Sequence, residues 1–325
     1  MDEYPLLSVK GLRVEINIGE DSYPVVKDVS FSVYENECLC IVGESGCGKT
    51  LTSLSVLKLF PSHSIRKTSG AINFKGLRID RFSEKDMTRV RGKQISMIFQ
   101  EPMTSLNPVF TIGEQISETI AEHLKTDWKE TKKRTLDIMD RVGIPEPERL
   151  FYAYPHELSG GLRQRAMIGM ALSCNPSLLI ADEPTTALDV TIQWQILELL
   201  KELQKGNMST IIITHNLGLV SEIGNRALIM YLGEIIEEAE VKNIFTNPLH
   251  PYTQGLINSI PSNPINLGKK RLVPIKGNVP GISEKITGCV FHYRCDRVMD
   301  ICKRVIPPEI RQEGSMVRCH LYGKI

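Results

Sequence analysis

The stretch GESGCGKT, residues 43–50, constrains the fold of this chain more than any other. It follows the continuous apolar run ECLCIV, the mark of a parallel strand buried on both faces, and it precedes a helical stretch. Strand, glycine-rich turn and helix in that order belong to an α/β fold with a mainly parallel sheet. Gly43, Gly46 and Gly48 let the backbone wrap closely, so that successive N–H groups point at phosphate oxygens, with Glu44, Ser45 and Cys47 completing the wrap. Lys49 offers a point charge to β- and γ-phosphates and Thr50 a hydroxyl to Mg²⁺, while the helix adds its positive end. Alone, the motif says nucleotide binding.

Residues 6–37 alternate apolar and polar, which predicts an N-terminal antiparallel β-subdomain. Apolar runs return at ISMIFQ, SLLIADE, STIIITH and RALIMYL. Between them lie helical patterns such as VTIQWQILELLKELQK, whose Ile192, Ile196, Leu199, Leu200 and Leu203 share one face and read as core. From about 101 to 175 helical segments dominate, predicting a helical subdomain inserted in the α/β core. After about 245 prolines thicken, so the expected division is 1–245 and a small Pro/Cys-rich domain at 246–325. The run SLLIADEP ends in Asp182 and Glu183 at a strand's carboxyl end, where open α/β sheets hold ligands. Asp182 suits Mg²⁺ and Glu183 suits a general base for an attacking water.

LSGGLRQR at 158–165 turns nucleotide binding into a family resemblance. With the phosphate loop, Gln100 after ISMIF, Gln164, LLIADEP, TALD at 186–189 and His215 in IIITHN, the chain resembles the ATP-binding cassette (ABC) ATPases over residues 6–245. That resemblance implies a P-loop ATPase that binds ATP and Mg²⁺ and closes as a head-to-tail dimer. Lys49, Gln100, Glu183 and His215 would be catalytic, and Ser159, Gly160, Gly161 and Asp189 would serve the partner's nucleotide. The family also implies an aromatic residue stacked on adenine. Ile16 lies closest by spacing and Tyr23 is the nearby aromatic, so Tyr23 is the expected residue. The signature departs from the pattern by ending in Leu162, which offers no polar side-chain contact.

FQEPMTSLNPVFTIGEQI and NPLHPYTQGLINSIP look like the dipeptide and oligopeptide permease ATPases. The resemblance implies a peripheral protein at the cytoplasmic face of the cell membrane. Its partners would be two integral membrane permease subunits, a sister ATPase or a second copy of itself, and an external solute-binding protein. An importer of nickel or another small solute is the alternative. A soluble regulator or nucleic-acid remodeler is another, but the formal net charge of +1 offers no basic excess for DNA, and the interval from phosphate loop to signature has no sustained heptads. No signal peptide is read at the start and no apolar run approaches the 18 or so residues that cross a bilayer. A cytoplasmic, reducing setting is therefore expected.

That setting bears on the cysteines. Cys38, Cys40, Cys47 and Cys174 read as packing residues. Cys289, Cys295, Cys302 and Cys319 cluster in the tail as C-x5-C-x6-C-x16-C, a spacing of neither a common zinc ribbon nor a bacterial ferredoxin. The tail resembles that of dipeptide-permease ATPases carrying a [4Fe–4S] cluster, which implies those four as ligands. Zn²⁺, with His292 or His320 nearby, and free thiols remain open. Arg294, Lys303 and Arg304 could offset the charge of a thiolate-ligated cluster.

Overall fold

The structure, a computed structural model, describes residues 4–62, 64–100, 105–186, 189–204, 206, 208–260 and 274–323. The chain divides into two units: Met1–Val33, Cys38–Asp80 and Ile213–Ile325 form one, and Tyr34–Glu37 with Arg81–Ile212 form the other.

In the first unit, β1 (Leu7–Ile18), β2 (Asp21–Val33), β4 (Ile65–Phe74) and β5 (Leu77–Arg78) make an antiparallel sheet in the order β2-β1-β4-β5. Leu7 and Val9, and past a shift in the β1–β2 register Leu12 and Val14, are the buried alternate residues of β1. β3 (Cys38–Val42) is buried throughout and runs parallel to β9 (Arg226–Tyr231). A two-residue turn follows at Leu232 (φ 45°) and Gly233 (φ 84°), both left-handed, and returns the chain as antiparallel β10 (Glu234–Glu240). The tail then adds β11 (Glu309–Gln312) and β12 (Ser315–Arg318), with Val317 opposite Glu237, giving the order β11-β12-β10-β9-β3. A parallel core thus gains an antiparallel edge made from the far end of the chain.

In the second unit, β6 (Ile95–Ile98) and β7 (Leu178–Asp182) pair in parallel and β8 (Ser209–Thr214) lies beside β7. Helices Ile112–Leu124, Trp128–Arg141 and Gly160–Leu172 fill the interval where the inserted helical subdomain was expected. Thr111 and Glu114 close a reciprocal capping box on the first, and Asp127 caps the second. In helix Val190–Gln204, Ile196, Leu199, Leu200 and Leu203 are buried, whereas Ile192, in its first turn, stays partly exposed beside Gly161. Among the described residues no helix is long and apolar enough to cross a membrane.

Candidate functional site

The phosphate loop leaves β3 as the sequence predicts, and two of its glycines, Gly43 and Gly48, leave no room for a side chain. A Cβ on Gly43 would sit 2.3 Å from the Met230 carbonyl oxygen. Gly48 is left-handed at φ 98°, and a Cβ there would meet the Val25 carbonyl at 2.7 Å. Gly46 is also left-handed, at φ 80°, but faces open space. Gly48 ends the loop as the N-cap of helix Lys49–Leu57 and makes no side-chain cap hydrogen bond, and a helix start of that kind suits an anion. The buried Lys49 ammonium donates to the carbonyls of Gly43 (2.8 Å) and Glu44 (3.0 Å), and Thr50 and Ser45 are exposed. This cradle fits a Mg²⁺-bound triphosphate.

Tyr23 stands opposite Ile16 in the β1–β2 register, so the two candidates for the adenine face are cross-strand neighbours. Its hydroxyl donates to Asp21 (3.1 Å), which pushes the phenol pKa up. His215 lies exposed one residue past β8, and Asn216 behind it caps helix Leu217–Ile223.

The second unit gathers the other candidates. Asp182 ends β7 and is buried, and Glu183 follows at φ 46°, a strained value for a side chain of that size. Gln100 Nε2 donates to Glu183 Oε2 at 3.3 Å and the Thr186 hydroxyl donates to the same oxygen at 2.9 Å. One oxygen of the carboxylate expected to act as base thus takes two side-chain donors. Gln164, buried, donates to the Pro184 carbonyl at 2.7 Å and ties the signature helix to this turn. Ser159 caps that helix, accepting from Leu162 N–H, and Ser159 and Gly160 are exposed. No atom lies within 4 Å of a Cβ built on Gly160, so another molecule could approach its backbone closely. Asp189 accepts from Ile192 N–H (2.9 Å) at the start of helix Val190–Gln204; Ala187 and Leu188 of the same motif lie outside the described residues.

Sequence reasoning missed how the tail enters the loop. The stretch NPLHPYTQGLIN is helical over Pro251–Asn258, capped by His250, whose Nδ1 accepts from Tyr252 N–H. Complete burial holds the His250 imidazole neutral, its pKa pulled down to about 3. Glu237, fully buried on β10, accepts from the N–H groups of Leu249 and His250, and burial raises its pKa. The Tyr252 hydroxyl accepts from Glu44 N–H at 3.0 Å. Arg294 donates both ends of its fork to the Glu44 carboxylate, at 2.6 and 3.0 Å, and its Nε donates to the Lys276 carbonyl. A cavity of about 400 Å³ beside the loop is lined by Pro24, Val25, Ser45 and Gly46, and by Val279 and Ile282 of the tail. Partners separated by more than 200 residues carry no local signal, although NPLHPY had marked the segment.

All eight cysteines are free thiols. Cys38, Cys40, Cys47 and Cys174 are buried, as packing residues should be. Cys289, Cys295, Cys302 and Cys319 line one small cavity together with His250, His292 and His320. Burial pushes the thiols of Cys289, Cys295 and Cys319 up, Cys289 to about 12, and the neighbouring cysteines add to the shift. Among the described residues no group of three or more His, Cys, Asp or Glu could hold a metal ion. The four cysteines line one cavity, but neither the [4Fe–4S] cluster expected from the resemblance nor the zinc alternative finds a metal-holding ligand set among the described residues.

Two family descriptions match the chain: "ABC transporter" over residues 26–186 and "Oligopeptide/dipeptide transporter, C-terminal region" over residues 236–302. The dipeptide transport ATP-binding protein DppD of Bacillus subtilis (strain 168) is 46% identical over 318 residues, covering 97% of this chain and 94% of that protein. The oligopeptide transport ATP-binding protein AppD of the same organism is 47% identical over 319 residues, covering 98% of this chain and 97% of that protein. Among solved structures, the dimeric post-hydrolysis state of the ATP-binding cassette MJ0796 bound to ADP and Pi aligns with TM-score 0.66 at 26% identity. It covers 72% of this chain and 98% of that one.

Proposed function

This chain belongs to the ATP-binding proteins of the dipeptide and oligopeptide ABC transporters, and from that premise we propose that it hydrolyses ATP to energise peptide import. The observation that carries the reading is a likeness of 46–47% that runs through the C-terminal region typical of peptide transporters and does not stop at the cassette. The chain would work at the cytoplasmic face of a membrane, on two permease subunits, with an external solute-binding protein choosing the peptide. Residues 1–245 would form the ATPase domain and 246–325 the peptide-transporter region. Support for permease docking comes from the exposed Phe99, Val109, Phe110 and Tyr154. Hydrogen bonds from Ile112 and Gly113 to the carbonyls of Ala153 and Phe151 bring three of these side by side, a fit for a short partner helix.

The mechanism follows from the residues. The loop N–H groups of 43–50 receive the phosphates, and Lys49 exchanges its carbonyl partners for β- and γ-oxygens. The family resemblance would give Thr50 and Asp182 the role of holding Mg²⁺, and the ion would supply charge neutralisation at the phosphate oxygens. Gln100 orients the attacking water and Glu183 takes its proton as the new P–O bond forms and the bond to ADP breaks. His215 would contact the γ-phosphate, and Tyr23 would lie against adenine. Ser159, Gly160 and Gly161 would donate to the γ-phosphate of a second ATPase chain, and Asp189 would link the two sites. In the reconstituted transporter, Glu183→Gln is expected to lower turnover by at least about 10²-fold while ATP-bound dimers persist on gel filtration. Normal turnover in that variant would remove Glu183 from the role of base.

The tail extends this reading to a [4Fe–4S] cluster on Cys289, Cys295, Cys302 and Cys319. Its support is the place of the four cysteines on one small cavity, set against the lack, among the described residues, of any group of three or more His, Cys, Asp or Glu that could hold a metal ion. Fe–S bonds would supply folding energy to a segment with little core of its own. Anaerobic purification, a visible spectrum and iron and sulfide assays test it: a brown protein with about four of each per chain is expected. A colourless, iron-free protein overturns it.

A further inference from the structure

We propose that Arg294, on the cysteine-bearing tail, is a positioning residue for the phosphate loop. Its guanidinium holds and neutralises Glu44, and thereby sets the loop's affinity for a nucleoside triphosphate. The inference rests on the reading of residues 43–50 as an ATP site.

Glu44 is tied on three sides. Its N–H donates to the Tyr252 hydroxyl, its carbonyl accepts from the Lys49 ammonium, and its carboxylate receives both arms of Arg294. Two of these three partners belong to the far end of the chain. Arg294 is itself fixed: it is buried, it donates to the Lys276 carbonyl, and its guanidinium lies 5.8 Å from the centre of the Tyr231 ring. Tyr231 in turn packs against Tyr252 and Phe291 at 4.8 and 5.2 Å. A bidentate fork on a carboxylate fixes direction as well as distance.

Charge gives the arrangement its purpose. Glu44 is an anion within the loop that must receive the most highly charged part of the nucleotide. Uncompensated, its carboxylate would repel the phosphates through a partly desolvated medium. Arg294 cancels that charge and turns the carboxylate away into its own fork. The neutralising group comes from the residue next to Cys295, so the conformation of the thiol-lined segment and the electrostatics of the loop are linked through one side chain.

The test uses the full-length protein, with ATP affinity read by titration of a fluorescent ATP analogue and KM and kcat read in the reconstituted transporter. Arg294→Gln is expected to raise Kd and KM for ATP by about tenfold or more, with a smaller change in kcat, because ground-state phosphate binding is what is lost. Arg294→Lys, which keeps the charge but not the fork, should recover part of the loss. The decisive variant adds Glu44→Gln to Arg294→Gln: removing the stranded carboxylate should restore most of the affinity. A tail that merely packs against the loop would show no such rescue. If the double variant binds ATP no better than Arg294→Gln, or if Arg294→Gln binds ATP normally, the proposal is overturned. Should Arg294→Gln fail to fold, Arg294→Lys with and without Glu44→Gln decides by the same rescue. Lys49→Ala separates the two levels. If it abolishes ATP binding while Arg294→Gln does not weaken it, only the role of Arg294 falls; if Lys49→Ala binds ATP normally, the ATP-site reading falls instead.

Discussion

The phosphate loop and the cysteine tail are put together in opposite ways. The loop uses backbone from eight consecutive residues, and what makes it a site is the left-handed conformation of Gly46 and Gly48 and the start of helix Lys49–Leu57 without a side-chain cap. The tail uses side chains from scattered positions: thiols between Cys289 and Cys319 and the ring of His250, which line one cavity. The first is sensitive to the absence of a side chain and the second to the presence of particular ones. A short motif can specify a backbone shape, whereas a side-chain cluster depends on the whole fold around it.

The sharpest way to break this comparison is to add one methyl group to the loop. Gly48→Ala must accept a left-handed φ and an overlap with the Val25 carbonyl at 2.7 Å. The conformational term alone costs about 1–2 kcal/mol, and the overlap moves the loop itself. Measurable ATP binding should be lost. Gly46→Ala meets only the conformational term, because no atom lies within 4 Å of its Cβ, and it should retain weakened binding. Equal damage from the two substitutions in an ATP titration would show that backbone freedom, and not close approach, governs the loop.

The corresponding change in the tail is Cys295→Ser, which swaps one sulfur for oxygen at the half-buried member of the set. If the four cysteines hold a cluster, this variant should lose iron and melt several degrees lower, since metal ligation is folding energy there. If they only pack, the substitution should shift the melting temperature by no more than about 2 °C. Iron content and a melting curve on the same preparation separate the cases. Either outcome leaves ATP affinity less affected than Gly48→Ala does.

How much of this was legible in the sequence follows the same division. The phosphate loop, the β7 carboxylates and the signature helix are local, and the structure places them at the end of β3, at the end of β7 and at a capped helix start. The antiparallel first sheet was legible from alternation, and the helical interval from its 3.6-residue period. What escaped was long-range. Gln164 on the Pro184 carbonyl and Glu237 under Leu249 and His250 reach partners beyond their own elements, and Tyr252 and Arg294 reach Glu44 across more than 200 residues. Arg294 was noticed only as a charge near the cysteines, because nothing local pairs it with residue 44. The edge strand β11 and its neighbour β12 were missed for a related reason: each is four residues long and too short for periodicity to register.

The smallest expected effect asks how far the two regions are separate at all. Tyr252→Phe deletes one oxygen, the acceptor of Glu44 N–H at 3.0 Å, and leaves the ring against Tyr231 and Phe291. One neutral hydrogen bond is worth about 0.5–1.5 kcal/mol net, so ATP affinity should fall by about two- to tenfold, with the melting temperature moving by only a few degrees. Burial already holds the Tyr252 phenol far above its ordinary pKa, so its hydroxyl stays protonated and this loss should be flat from pH 6 to 9. If affinity is unchanged, the Glu44 N–H has found another partner and the loop is shaped by its own eight residues. If it falls as expected, the tail takes part in phosphate binding through a hydroxyl as well as through the Arg294 charge, and the backbone-made site is finished by side chains more than 200 residues away.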